Sequence, residues 1–211
     1  MFIGHFAIAY IFIALFPGVP PLVPLIGVSF PDLLWPVLIF SGKEEAVIDP
    51  ESPLQNRIRF TRLAFSHSFV VGSLIAGIFG ILVAVLVSPL AGVLFVCASA
   101  SHWLLDGITH MGDLPVLGFG RDLKVGLALW NRPKTAFLIE LILYTAITLV
   151  AAKPGTTGPL LALGFAFHLI NANSFLGFTK GNPFNTPRKY AALAFIGFLA
   201  FALIANWIVT L

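Results

Sequence analysis

Charge is what this sequence has least of. Asp, Glu, Lys and Arg together supply 10% of its 211 residues, against roughly 25% in a soluble domain. Hydrophobic types reach 58% and the mean hydropathy is +0.98. So little polar surface excludes an ordinary water-soluble globule. The net charge of +3 is small and decides little, and no stable nucleic-acid partner is expected. Cysteine is nearly absent too. Cys97 stands alone, which rules out an internal disulfide and a thiolate-built metal site. Low-complexity tracts, internal repeats and polar appendages are missing as well. The first run, "MFIGHFAIAYIFIALF", has no basic leader and is followed by prolines, so it is expected to be a retained membrane segment and not a cleavable signal. What remains is one integral membrane domain over residues 1–211.

A spanning helix needs about 20 apolar residues. Runs near 63–87, 90–109, 134–152, 159–178 and 189–210 meet or approach that length. Residues 2–40 read as a helical hairpin, its arms separated by Pro17, Pro20, Pro21 and Pro24. In the second arm Pro31 and Pro36 flank Asp32, and proline kinks or ends a helix. The expected fold is therefore all-α: a polytopic transmembrane bundle of about seven membrane helices, the second bent or broken. Eleven of the twelve Lys and Arg lie in or beside the segments 41–62, 110–133 and 179–188; Lys153 is the exception. The positive-inside rule places those segments and the N-terminus in the cytoplasm. The expected location is the cell (inner) membrane, with the C-terminus outside.

The ionisable residues do not scatter. His5 lies just inside the start of the first run and His67 near the start of the third. Asp32 lies in the half of the second that descends toward the same side. His102, Asp106 and His110 sit in "SHWLLDGITH" (101–110), at the end of the fourth. On the expected topology all six fall in one depth band near the cytoplasmic face. Residues four apart on a helix differ by only about 40° in azimuth, so His102 and Asp106 can share one metal. His110 lies about 80° round and about 12 Å further along, so it reaches a neighbouring ion or the substrate. Asp and His together inside lipid mark a functional site by default, because burying them is costly. Nitrogen and oxygen donors without sulfur suit zinc, or manganese in its place. The nearby hydroxyls, Ser66, Ser68, Ser99, Ser101 and Thr109, stand in no nucleophile-elbow pattern, which disfavours a serine hydrolase.

The ordered motifs "GHFAIAY", "PDLLW", "SHSF" and "SHWLLDGITH" resemble those of the bacterial and archaeal membrane-bound metal-dependent hydrolases. The resemblance covers about residues 1–125; residues 126–211 add further membrane helices. One departure is plain: "RLAFSHS" has Arg62 where the family often has a histidine. The linear order is also similar to that of zinc-dependent phospholipase C and the related single-strand nucleases. That likeness implies that Asp32, His67, His102 and Asp106 hold one zinc. His5 and Asp106, with the Met1 amine, would hold another. His168 would be a further ligand, although the glutamate expected four residues later falls at Ala172.

Other polar features carry two readings each. Arg57, Arg59 and Arg62, with Arg121, are candidate phosphate contacts because the guanidinium fork is bidentate; interfacial anchoring beside anionic lipid is the plainer account. The Gly-rich segment 111–126, with Asp113, Arg121 and Asp122, is either a lid over the site or an ordinary connection. His168 is either a ligand or a core histidine. Glu140 is read as a packing or relay residue. The function these residues imply is a metal-dependent hydrolase acting on a phosphoester of a lipid or amphiphile at the cytoplasmic interface, with two or more zinc ions. Its partners are that substrate and the surrounding lipids, and its catalytic residues are Asp32 and Asp106. A divalent-metal transporter and a membrane scaffold with a structural metal are the competing readings.

Overall fold

The computed structural model describes residues 1–52, 54 and 58–211. Arg57 lies outside them. The apolar runs fold as helices, and several begin at conventional capping residues. Ser68 accepts from the Gly72 amide and opens α3 (Phe69–Leu86); Ser88 does the same for the Ala91 amide and opens α4 (Pro89–Thr109). Pro133 opens α5 (Pro133–Ala151), and Thr186 caps α8 (Pro187–Thr210), where Pro187 takes the first turn. Side-chain oxygens at these positions satisfy amides that have no partner inside the helix, and proline there loses nothing. The remaining helices are α1 (Ile3–Leu15), α2 (Leu22–Phe40), α6 (Thr157–Ile170) and the single turn α7 (Asn173–Leu176).

The fold is all-α, with two small antiparallel hairpins in its loops. β1 (Glu45–Ile48) pairs with β2 (Ile58–Arg62), and β3 (Leu114–Pro115) pairs with β4 (Lys124–Val125). The helix count differs slightly from the expectation of about seven. Among the described residues, five helices are long and apolar enough to cross a membrane: α2, α3, α4, α5 and α8. α1 has 13 residues and α6 has 14, so each rises only about 20 Å, short of a hydrocarbon core of about 30 Å. The run 159–178 is not one helix, because a turn at Asn171 and Ala172 separates α6 from α7. Of the two forms expected for the second helix, bent or broken, the broken one is not found. α2 continues through Pro31 and Pro36, although each proline removes one intrahelical bond.

Packing explains which helices face lipid. α3 buries only Gly72, Ala76 and Gly80; Gly80 lies against Gly92 and Val96 of α4, and Gly72 against the Phe65 and Ser66 carbonyls. Its Leu74, Ile78, Ile81 and Val85 are exposed, as an apolar helix at a bundle's lipid face should be. α1 is the opposite case. Ile3, His5, Phe6, Ala7, Ala9 and Tyr10 are all buried, and a helix apolar all round belongs in the interior. Phe6 stacks on Phe201 at 4.0 Å, and Leu25, Tyr144 and Leu160 complete that core. Gly27 lets α2 lie directly on α4: a Cβ there would stand 2.7 Å from the Ala98 Cβ and 3.0 Å from the Phe95 carbonyl. That close approach brings Asp32 and His102 together.

Candidate metal centre

Asp106 is the hub of the cluster. Its Oδ1 lies 2.8 Å from the Met1 amine and 3.1 Å from His5 Nε2. Its Oδ2 lies 3.1 Å from His102 Nε2, 3.5 Å from His110 Nε2 and 3.8 Å from His67 Nε2. Asp32 sits across from it, 3.3 Å from His67 Nε2 and 3.5 Å from His102 Nε2. The six residues named from sequence thus meet at one place, the bundle end that carries the start of α1 and the end of α4. His5, His67, His102, Asp106 and His110 are buried; Asp32 keeps 19% of its side-chain surface exposed. His110, although further along the helix than His102, curls back as the α4 C-cap and faces the same carboxylate.

The outer nitrogens of three histidines are already engaged. His102 Nδ1 donates to the Val28 carbonyl at 2.6 Å and His110 Nδ1 to Asp113 Oδ1 at 3.0 Å, and His67 Nδ1 lies 2.7 Å from Ser66 Oγ. Such partners orient metal-ligating imidazoles and set which nitrogen is left to coordinate. In each case Nε2 is the nitrogen that points inward. Between loop and helix, burial pushes the metal-free His110 imidazole down, but its contacts with Asp106 and Asp113 outweigh that and raise it to about 9. Burial likewise acts to raise Asp113, and His110 beside it holds that carboxyl below its ordinary range.

These donors fit a metal. Two trios, His5–His102–Asp106 and Asp32–His67–His102, each bring one ligand atom per residue within 4.8 Å of the others. His102 can serve only one trio, because its Nδ1 is committed to Val28. Asp106, with two oxygens facing different histidines, is the residue that can link two ions. The sharpest observation is His102 Nε2. It is buried without a hydrogen-bond partner, although Asp106 Oδ2 is 3.1 Å away. With the proton on Nδ1 of a neutral ring, a nitrogen lone pair faces a carboxylate lone pair, a gap that a metal ion or a second ring proton would fill.

Asp32, His67, Asp106 and His110 form one wall of a cavity of about 290 Å³. The rest is largely aromatic and aliphatic: Trp35, Phe60, Trp130, Phe167, Tyr190 and Phe198 line it, with Gly197 among them. Phe60 stacks on His110 at 5.3 Å and Trp130 lies 4.8 Å from it. The arginines stand elsewhere. Arg59, Arg62 and Arg121 are exposed and do not line the cavity. Arg62 donates to Glu45 Oε1 at 2.8 Å and to the Gly42 carbonyl at 2.6 Å, so it braces the β1–β2 hairpin. In the segment 111–126, Asp122 accepts from the Leu117 and Gly118 amides at 2.7 and 2.6 Å. His168 is in neither trio. Its Nε2 donates to the Phe137 carbonyl at 3.0 Å and its ring stacks on Phe137 at 4.0 Å.

Two buried carboxylates take roles that sequence reasoning missed. Glu140, on α5, accepts from the amides of Phe2 and Gly4. It caps the first turn of α1, where a negative charge opposes the helix dipole, and thereby holds His5 in place. Glu44 accepts from the Phe65 and Ser66 amides and from Ser66 Oγ. Glu140 was singled out as a charge inside an apolar run, but its partners, the first amides of α1, lie 136 residues or more away. Glu44 has no signal of its own in "GKEEAV". Compared with models of known protein families, with curated proteins and with solved structures, the chain matches none.

Proposed function

We propose that this protein is a membrane-embedded metal-dependent hydrolase that cuts a phosphoester of a lipid or other amphiphile at the cytoplasmic interface. The observation that carries the reading is the junction of a His/Asp cluster with an apolar cavity: His67, His110, Asp32 and Asp106 line one wall, and aromatic and aliphatic side chains most of the rest. The proposal keeps the resemblance to the membrane-bound metal-dependent hydrolases noted in the motifs. Five apolar helices are compatible with a multi-pass membrane protein, and the basic loops orient its cluster toward the cytoplasm.

Zinc, or manganese in its place, supplies Lewis acidity and the means to ionise water near neutral pH. His67 and His102 with Asp32 would hold one ion; His5 with Asp106 would hold the other. Asp106 offsets the cations from within the protein. Asp32, the more exposed carboxylate, lines the cavity and is the group placed to accept a proton from the attacking water. The aromatic lining binds the hydrocarbon of the substrate and keeps bulk water out. Among the described residues no arginine lines the cavity, so the metals would be the groups that meet the charge of the phosphoester.

The test is hydrolysis by purified, zinc-loaded protein of a panel of phospholipids and isoprenoid phosphates in mixed micelles. Turnover that a chelator abolishes and added zinc restores is the expected result. A metal-loaded protein that turns over nothing on the panel overturns the enzyme reading. Zinc uptake by proteoliposomes in that case would favour the transporter.

A further inference from the structure

We propose that Glu44, acting through Ser66, selects the tautomer of His67 and so decides whether His67 can hold a metal. Glu44 lies in the short connection between α2 and β1, and is only 1% exposed. Its Oε1 accepts from the amides of Phe65 and Ser66 at 2.6 and 2.8 Å, and its Oε2 accepts from Ser66 Oγ at 2.6 Å. A carboxylate is an acceptor only. Ser66 must therefore give its single hydroxyl proton to Glu44. Ser66 Oγ is also 2.7 Å from His67 Nδ1. With its proton used, the hydroxyl can only accept there, so His67 Nδ1 must carry the hydrogen. In the neutral imidazole that leaves a lone pair on Nε2, the nitrogen facing Asp32 at 3.3 Å and Asp106 at 3.8 Å.

The direction of the chain thus follows from the charge of one carboxylate: with Glu44 ionised, the hydrogen of a neutral His67 imidazole belongs on Nδ1. Glu44 is a positioning residue: it does not line the cavity, and its hydrogen bonds go to Phe65 and Ser66 and not to a candidate ligand. The inference rests on the metal-centre reading for its consequence but not for its geometry, which concerns the metal-free imidazole.

Glu44→Gln makes the test specific. The Gln carbonyl can keep both amide bonds. Its NH2 then faces Ser66 Oγ as a donor. Ser66 is left to turn its own proton toward His67 Nδ1, and the imidazole hydrogen moves to Nε2, blocking the ligand position. Removal of outer-shell partners ordinarily lowers metal affinity by about 10–100-fold, and a blocked lone pair belongs at the upper end. Adding Ser66→Ala to Glu44→Gln removes the misdirected donor, so the double variant should bind zinc more tightly than Glu44→Gln alone. A residue that merely supported the fold would show the reverse.

The readouts are the imidazole ¹⁵N resonances of His67 in metal-free protein labelled at histidine, zinc affinity by competition, and the visible spectrum of the cobalt-loaded form. The expected result is Nδ1–H in the unchanged protein, Nε2–H in Glu44→Gln, and recovery of affinity in the double variant. If Glu44→Gln does not fold, Ser66→Ala alone still tests the relay, since losing the acceptor should mix the two tautomers. A His67 that stays Nδ1–H in every variant overturns the proposal. A tautomer switch in a protein that takes up no metal supports the relay and refutes the metal-centre reading, so the two failures are distinct.

Discussion

Asp106→Asn is the substitution that should separate metal binding from folding most cleanly. The amide has the shape of the carboxylate, so α4 and its packing are kept. Its oxygen would stay toward the Met1 amine, where a donor lies 2.8 Å away. Its NH2 would then replace Oδ2, which stands 3.1 Å from His102 Nε2 and 3.5 Å from His110 Nε2. The unpartnered lone pair of His102 would receive a hydrogen bond from the amide, relieving in the metal-free state the repulsion that a cation relieves in the loaded one. The variant thus loses a negative ligand and gains a donor aimed at another. Removing one partner of a buried charge pair costs about 3–5 kcal/mol. At about 1.4 kcal/mol per tenfold, that is on the order of 10²–10⁴ in zinc affinity. The assay is metal content per chain by mass spectrometry after loading and desalting, with folding followed by detergent-phase chromatography and helical circular dichroism. His168→Ala is the control, since His168 lies in neither trio and bonds to Phe137 instead; it should retain full metal. Wild-type metal in Asp106→Asn, or empty sites in His168→Ala, would show the ligands to be wrongly assigned.

Glu140→Leu should leave the amides of Phe2 and Gly4 without their acceptor; at about 1–3 kcal/mol for each buried donor, the melting temperature falls, and zinc content falls with it because His5 rides on that first turn. An unchanged melting curve would remove Glu140 from the site's support. Gly197→Leu should narrow the cavity, since a Cβ there already contacts Phe2 at 3.7 Å. Hydrolysis of a long-chain substrate is expected to drop at least tenfold while a small soluble phosphodiester is cut as before, and equal losses on both would detach the cavity from chain binding. Cysteines placed at Lys43 and Lys153 should react with an impermeant reagent from opposite sides of the membrane; labelling of position 43 from outside would move the cluster to the other leaflet.

The sequence by itself determined whatever depends on spacing along one helix or on composition. Helical periodicity puts His102 and Asp106 on a common stripe whatever the rest of the chain does, and the lack of charge commits the apolar runs to a bundle. The convergence of His5, Asp32 and His67 on that stripe was legible through topology, because short connections between antiparallel spans return ligands to one end. Helix count was less legible: an apolar run of 15 to 20 residues does not say where a helix stops, and α6 ends early at a turn that hydropathy does not register. Only the tertiary structure decided what the loops do. Arg62 stands three residues from the motif "FSHS", yet the β1–β2 hairpin turns it outward to Glu45. Glu44 looks like a solvated charge in "KEE", yet the same hairpin lays Phe65 and Ser66 over it. Glu140 meets the start of α1 across most of the chain's length. Spacing within a helix is a local property, carried by the backbone's own geometry. The partner of a loop carboxylate depends on how separate elements pack, and that is written in no short stretch of sequence.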